Sequence, residues 1–322
     1  MPPLFSRCSL ARLFVLVNAL WPPLVAPAAW GQAPELAQGQ ESALSSESAQ
    51  AQAKAAAALF PDPALEAVVR ASVLAKRGSD APLTAADVAK ISRVEAKGKK
   101  ISSLEGLQHC PALMLVDFSN NEISDLTPLA GLTRLQSVTL AGNAIADISP
   151  LKRLTAIQLL DLSGNELTKI DAVAEMANMR SLYLADNRLD EISAVAELSK
   201  LNALDLAGNR VEDLTPVSHL KGLTTLEISD NRIRSLEPLV GLSDLSMLIM
   251  PNNPIDSLNP IVKMCVEDAG ANRRFAPYLK LYLNQRSDKA AVWQGALQQL
   301  RSAGVSIHDY RRPSTSNSTQ SP

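Results

Sequence analysis

The sequence predicts an α/β solenoid: right-handed coils stacked along one axis, with a parallel β-sheet on the concave face and short 3₁₀ or irregular segments on the convex side. Three observations predict it. A motif of 22 residues recurs eight times without insertion, starting at Ile91, Leu113, Leu135, Ile157, Met179, Leu201, Leu223 and Leu245. Counted from each start, the residues 0, 3, 5, 10, 13, 16 and 19 places on are apolar in all 56 instances, Ala96 and Cys110 included. With 46% of the chain apolar, chance does not produce such columns. Eight places on, seven of the eight coils carry an amide: Asn121, Asn143, Asn165, Asn187, Asn209, Asn231 and Asn253.

Taken from the N-terminus, residues 1–33 read as a secretory signal peptide. Arg7 and Arg12 precede the apolar centre Leu13–Trp21, and Pro22, Pro23 and Pro27 lead into small residues up to Ala33. Cleavage is expected near Ala28 or Ala33; an uncleaved amphipathic anchor is the rival reading. The apolar run is about half the roughly 20 residues that a membrane span needs, and no later stretch is long and apolar enough. Cys8 lies ahead of the run, which is not the place of a lipoprotein acylation site. Cleavage removes 2 of the 31 bases and no acid, so 29 − 33 leaves the mature chain at −4. Residues 34–59, rich in Ala, Gln, Ser and Glu, have little to bury and read as a disordered linker.

Residues 60–90 are expected to form a helical cap. Asp62-Pro63 opens a helix to Lys76, and Thr84 with Asp87 caps a second before Ile91. In each coil of the array, residues 91–261, the opening apolar residues alternate as in a strand with one buried face. The later ones recur every third residue, the spacing of a 3₁₀ turn. One coil cannot bury its apolar side alone; stacking does so. The Asn column supplies donors and acceptors to backbone groups released where strand becomes loop. Pro128, Pro150, Pro216, Pro238 and Pro260, fifteen places on, fix φ on the return and block helix.

Residues 262–312 are expected to close the C-terminal end, since an open solenoid exposes apolar surface and unpaired strand groups. Leu279, Leu281 and Leu283 alternate as a ninth strand, with Arg286 where the ladder Asn would stand. Ser287 caps a helix running through Ser302, Gly304 ends it, and Val305–His308 reads as a short strand. Residues 313–322 read as a disordered tail.

Composition narrows the chemistry. A charge of −2 does not suit a strongly basic nucleic-acid binder, and three Cys make neither a disulfide scaffold nor a Cys₄ zinc site. Cys110 and Cys265 lie seven coils apart, about 34 Å at ~4.8 Å per coil, where a disulfide needs Cα atoms within about 7 Å; they read as separate free thiols. His109 and His219 follow column order onto the return side and His308 falls in the cap, so no pair suggests metal or acid–base work. No enzyme, cofactor or metal is expected.

The row four places on from each start is expected to project from the middle of each strand onto the concave face. Its members are Glu95, Asp117, Thr139, Asp161, Tyr183, Asp205, Glu227 and Ile249, five acids and no base. Stacked like charges repel, and the row is expected to contribute nothing to folding. It reads as a strip kept charged for solubility, as a docking strip for a basic or cation-bearing partner, or as a Ca²⁺ site. Tyr183 stands between Asp161 and Asp205, with Arg180 and Asp186 nearby, and is a residue type that anchors interfaces. Small residues two places on (Ser137, Ser181, Ala203, Thr225) leave room along a groove whose apolar end lies near Ile249 and Tyr282. Arg188, Arg210 and Arg232 form a rung along one rim, expected to pair with Asp190, Glu212 and other neighbours.

Charge is also segregated. Residues 91–261 hold 15 bases and 22 acids, residues 262–322 hold 9 and 4. Such a dipole favours weak head-to-tail self-association at low salt, and the acidic face disfavours double-stranded nucleic acid.

The pattern L-x-x-L-x-L-x-x-N-x-I-x-D-L-x-P-L, as in Leu113–Leu129 with Val116 and Phe118 at two of the Leu places, resembles the bacterial leucine-rich repeats of the internalin type. The resemblance covers residues 91–261, and the flanks are similar to the caps of exported members. It implies a leucine-rich-repeat solenoid that binds protein; the chain has no wall-sorting motif, so it does not imply surface display or host invasion. The expectation is a non-catalytic, exported (periplasmic or secreted) module. It would engage a protein or peptide through Glu95, Asp117, Asp161, Arg180, Tyr183, Asp205, Glu227 and Ile249. An envelope-associated spacer without a ligand is the alternative, and so, for an unexported chain, is a phosphatase-regulatory repeat protein.

Overall fold

In each coil a three-residue strand carries one buried side chain between two outward ones, and successive coils repeat it in register. The computed structural model describes residues 58–271, 274–284 and 292–310, all inside the unit formed by residues 51–322. The signal segment 1–33, the linker up to residue 57, the tail 313–322, Arg286 and Ser287 lie outside the described residues. The described strands are β1 (Arg93–Glu95), β2 (Leu115–Asp117), β3 (Ser137–Thr139), β4 (Leu159–Asp161), β5 (Ser181–Tyr183), β6 (Ala203–Asp205), β7 (Thr225–Glu227), β8 (Met247–Ile249), β9 (Lys280–Leu283) and β10 (Ser306–Asp309). They form one parallel sheet in chain order. From β1 to β8 every strand partner lies 22 residues away, as in Val94↔Val116 and Leu182↔Leu204. The repeat period is therefore the strand register.

The apolar columns are the core. Of the 56 positions, 55 are buried, and the exception is Met264. Seven coils return through 3₁₀ segments, at Leu107–His109, Thr127–Leu129, Ser149–Leu151, Asp171–Glu175, Ser193–Glu197, Thr215–His219 and Glu237–Leu239. Pro128, Pro150, Pro216 and Pro238 sit in the first turn of theirs. The eighth differs. Pro260 does not block helix but stands in the first turn of a twelve-residue helix, Asn259–Gly270. Proline is tolerated there because its missing N–H would be unpaired anyway, and the change of winding carries Met264 off the core line.

Helices close both ends. Asp62 caps α1 (Pro63–Ser72), accepting from Ala64 N–H at 2.9 Å and Leu65 N–H at 3.0 Å. This helix stops short of the expected Lys76: Val73 is extended, and Leu74–Lys76 follows as a 3₁₀ turn. Thr84 and Asp87 form a reciprocal capping box on α2 (Ala85–Val88). At the other end α3 (Asn259–Gly270) packs on α4 (Gln294–Ala303), and Gly304 ends α4 at φ 104°.

Candidate functional site

Strand sides of neighbouring coils stand about 4.8 Å apart, closer than the bulkier return segments, so the sheet lines the concave face of the array. The residue that projects from the middle of each strand is the buried one, three places from the start. The row from Glu95 to Ile249 is the last residue of each strand, sharing the open face with the first. The first residues include the half-buried Leu115, Leu159 and Met247 beside the small Ser137, Ser181, Ala203 and Thr225, so the floor is partly apolar.

Two columns just past the strands hold this face in place. Each ladder Asn staples its coil to the preceding one. The Asn187 amide donates to Leu162 O and Leu184 O at 3.0 Å each, and its Oδ1 accepts from Leu167 N–H at 3.0 Å. Asn143, Asn165, Asn209, Asn231 and Asn253 repeat the pattern. Asn121 does the same for the first coil, its Oδ1 accepting from Lys99 and Ile101 N–H. One place earlier stands a column absent from the sequence reading: Gly98, Asn120, Gly142, Gly164, Asp186, Gly208, Asp230 and Asn252, every one with φ between 54° and 68°. Only Gly, Asn and Asp occur in it, the residues that enter the left-handed region most readily. That restriction was visible in the sequence. At Gly142 space is limiting too, since a Cβ would lie 2.5 Å from Asn120 Oδ1.

The acids of the row have local partners, contrary to the expectation that they contribute nothing to folding. Asp117, Asp161 and Asp205 each accept, through Oδ1, the N–H two residues on, from Ser119, Ser163 and Ala207 at 2.9–3.0 Å. Such a bond satisfies the backbone where the strand ends. Glu227 accepts from Ser229 Oγ at 3.0 Å, and Glu95 pairs with Arg93 on its own strand. Parallel pairing sets Tyr183 between Asp161 and Asp205, all three half-buried, and Arg180 is exposed just ahead of β5.

Ile249 is not an exposed contact residue: it is 8% exposed. In register beyond it come Tyr282 and then His308, so the row continues into the C-terminal end of the sheet. The Tyr282 and His308 rings stack at 4.8 Å and 22°, and Tyr310 meets Tyr282 edge-on at 5.8 Å. Sequence reasoning put His308 in a short strand of the cap but not in register with Tyr282, and did not single out Tyr310, because the 22-residue count stops before β9.

On the rim, Arg188 pairs with Glu166 of the preceding coil at 3.1 Å and not with Asp190, because residues at equal places in adjacent coils are closest. Arg232 reaches Glu212 at 3.6 Å, and Arg234 reaches Asp256 at 3.7 Å. Both described thiols are free and buried. Burial pushes Cys110 up to about 11, and burial with Asp268 nearby pushes Cys265 up to about 12. Such thiols are protonated at neutral pH and make poor nucleophiles. Among the described residues no three His, Cys, Asp or Glu side chains gather as metal ligands, and no helix is long and apolar enough to cross a membrane.

Residues 156–211 match the family model described as leucine rich repeat, and residues 115–153 the one described as leucine rich repeats in two copies. Among solved structures the chain is similar to internalin C2 of Listeria monocytogenes. The two are 33% identical, with a TM-score of 0.60, over 64% of this chain and 91% of that one. A leucine-rich-repeat protein of Leptospira interrogans is 21% identical over 64% of this chain and 57% of its own, with a TM-score of 0.55. The functional domain of InlJ from Listeria monocytogenes is 20% identical over 70% and 56%, with a TM-score of 0.51. These last two share the fold alone. No curated protein sequence matches the chain.

Proposed function

The chain belongs to the internalin-like bacterial leucine-rich-repeat proteins, and from that premise we propose that it is a non-catalytic, exported module whose concave face captures a basic protein or peptide. One observation carries the reading. Asp117, Asp161, Asp205 and Glu227 share one row of an open sheet face with a half-buried tyrosine set among them. Each acidic side chain is already anchored by a local hydrogen bond. Carboxylates so held present negative charge with little rotamer freedom left to lose, which lowers the cost of binding. The raised pKa values of Cys110 and Cys265 support the non-catalytic part.

The decisive experiment measures a short lysine-rich peptide against the native protein and against the Asp161→Asn, Asp205→Asn double variant, at low and high salt. Asn keeps the Oδ1 acceptor that closes each strand, so charge is removed without loosening the coil. Binding to the native protein that weakens with salt and is lost in the variant is expected. Equal affinity for both proteins would overturn the acidic groove and favour a spacer without a ligand. Export has its own test. The expressed protein should be recovered outside the cytosol with an N-terminus just past Ala28 or Ala33, and an intact N-terminus in the cytosol would overturn it.

A further inference from the structure

We propose that the concave row recognises two side chains of its partner at once, a basic one at Asp205 and an aromatic one at Tyr282, set four residues apart in an extended peptide. The inference rests on the basic-peptide reading above and adds a specificity to it. The row runs in register from Asp205 through Glu227 and Ile249 to Tyr282 and His308. Its chemistry changes along that line, from two carboxylates to a buried isoleucine to a stacked pair of rings. Tyr310 stands edge-on to Tyr282, so three rings gather around Tyr282 as a platform where the row ends.

Spacing selects the register of the guest. Asp205 and Tyr282 are three strands apart, about 14 Å at ~4.8 Å per strand. An extended peptide rises about 3.4 Å per residue and turns alternate side chains to the same side. Residues i and i+4 therefore face the row together, also about 14 Å apart. A Lys or Arg at i meets Asp205, and Trp, Phe or Tyr at i+4 meets the ring platform, where offset or edge-on packing between aromatic rings is favourable. A side chain at i+2 falls between Glu227 and Ile249. A ring at that place misses the platform, so charge alone does not account for the preference.

The test compares three short peptides of equal charge on the native, full-length protein. One carries Lys and Trp four residues apart, one carries them two apart, and one has Ala in place of Trp. The four-residue spacing is expected to bind about five- to tenfold tighter than the other two. That advantage should vanish in Tyr282→Leu and persist in Tyr282→Phe. Should the Leu variant fail to fold, the comparison of the two Trp spacings on the native protein still decides. If all three peptides bind equally and are displaced by salt, the aromatic subsite is wrong and the acidic groove stands. If none of them binds at low salt, the groove itself is overturned.

Discussion

The amide of Asn187 illustrates how single residues hold the array. It is 8% exposed, spans two coils, donates to the carbonyls of Leu162, Leu184 and Ala185, and accepts from the Leu167 N–H. Leaving such buried groups unpaired costs about 1–3 kcal/mol. Asn187→Ala is therefore expected to lower the unfolding free energy by roughly 2–3 kcal/mol in a urea titration, and an unchanged midpoint would contradict the role. At Asp161 the acceptor and the charge are separable. Asp161→Asn keeps the bond to Ser163 N–H and should leave stability within about 0.5 kcal/mol of native. Asp161→Ala removes the bond and should cost about 1 kcal/mol. Both residue types could be read from the sequence; the bond that gives each acid a structural duty could not, because it depends on the backbone turning back at the strand end.

Among elements, α1 is tied to the first coil by one carboxylate. Asp62 Oδ1 caps the helix while Oδ2 accepts from Ser102 N–H at 2.9 Å and Ser103 N–H at 3.2 Å. Burial raises its pKa, but the donors of Ser102, Leu65, Ser103 and Ala64 outweigh burial and hold it below its usual value of 3.8. A depressed folded pKa means that the carboxylate stabilises the protein above pH ~4, and that this contribution is lost as pH falls through the folded value. Asp62→Ala should thus destabilise the protein by about 1–2 kcal/mol at neutral pH, with the gap to native narrowing below pH 4 in thermal scans. The same end depends on Gly106, where φ is 104° and a Cβ would lie 2.3 Å from Leu59 O and 2.5 Å from the Phe60 ring. Gly106→Ala is expected to lose on the order of 1–3 kcal/mol and to expose the cap to limited proteolysis. The helix that Asp62-Pro63 opens could be anticipated from local chemistry. Its end at Ser72 and the helix that carries Pro260 in its first turn could not, since a 3₁₀ turn and an α-helix both accept proline there.

For the whole array, coils contact mainly their neighbours, so a defect at the centre divides the stack. Leu182→Ala, in a fully buried mid-array position, should cost about 2–5 kcal/mol in urea unfolding. Removing residues 259–322 would take away α3, β9, α4 and β10 and leave the edge of β8 and the last apolar columns open. Such a chain is expected to aggregate, as larger species in size-exclusion chromatography; a monodisperse monomer would show that the cap is dispensable.

From the sequence alone came the period, and with it the strand register, the core columns, the Asn ladder and the face on which the acids stand. A fixed repeat makes distance along the chain equivalent to position in space. Beyond residue 261, where the count breaks, local pattern still pointed to a strand around Leu281, a helix ended by Gly304 and a strand around Ile307, and only the tertiary structure decided how they are set against the sheet. There the docking of α3 on α4 brings β9 and β10 onto the sheet, adds Tyr282, His308 and Tyr310 to the acidic row, and leaves Ile249 buried. Side chains 26 residues apart in Tyr282 and His308 meet because helices pack, and no local pattern encodes where packed helices set down the next strand.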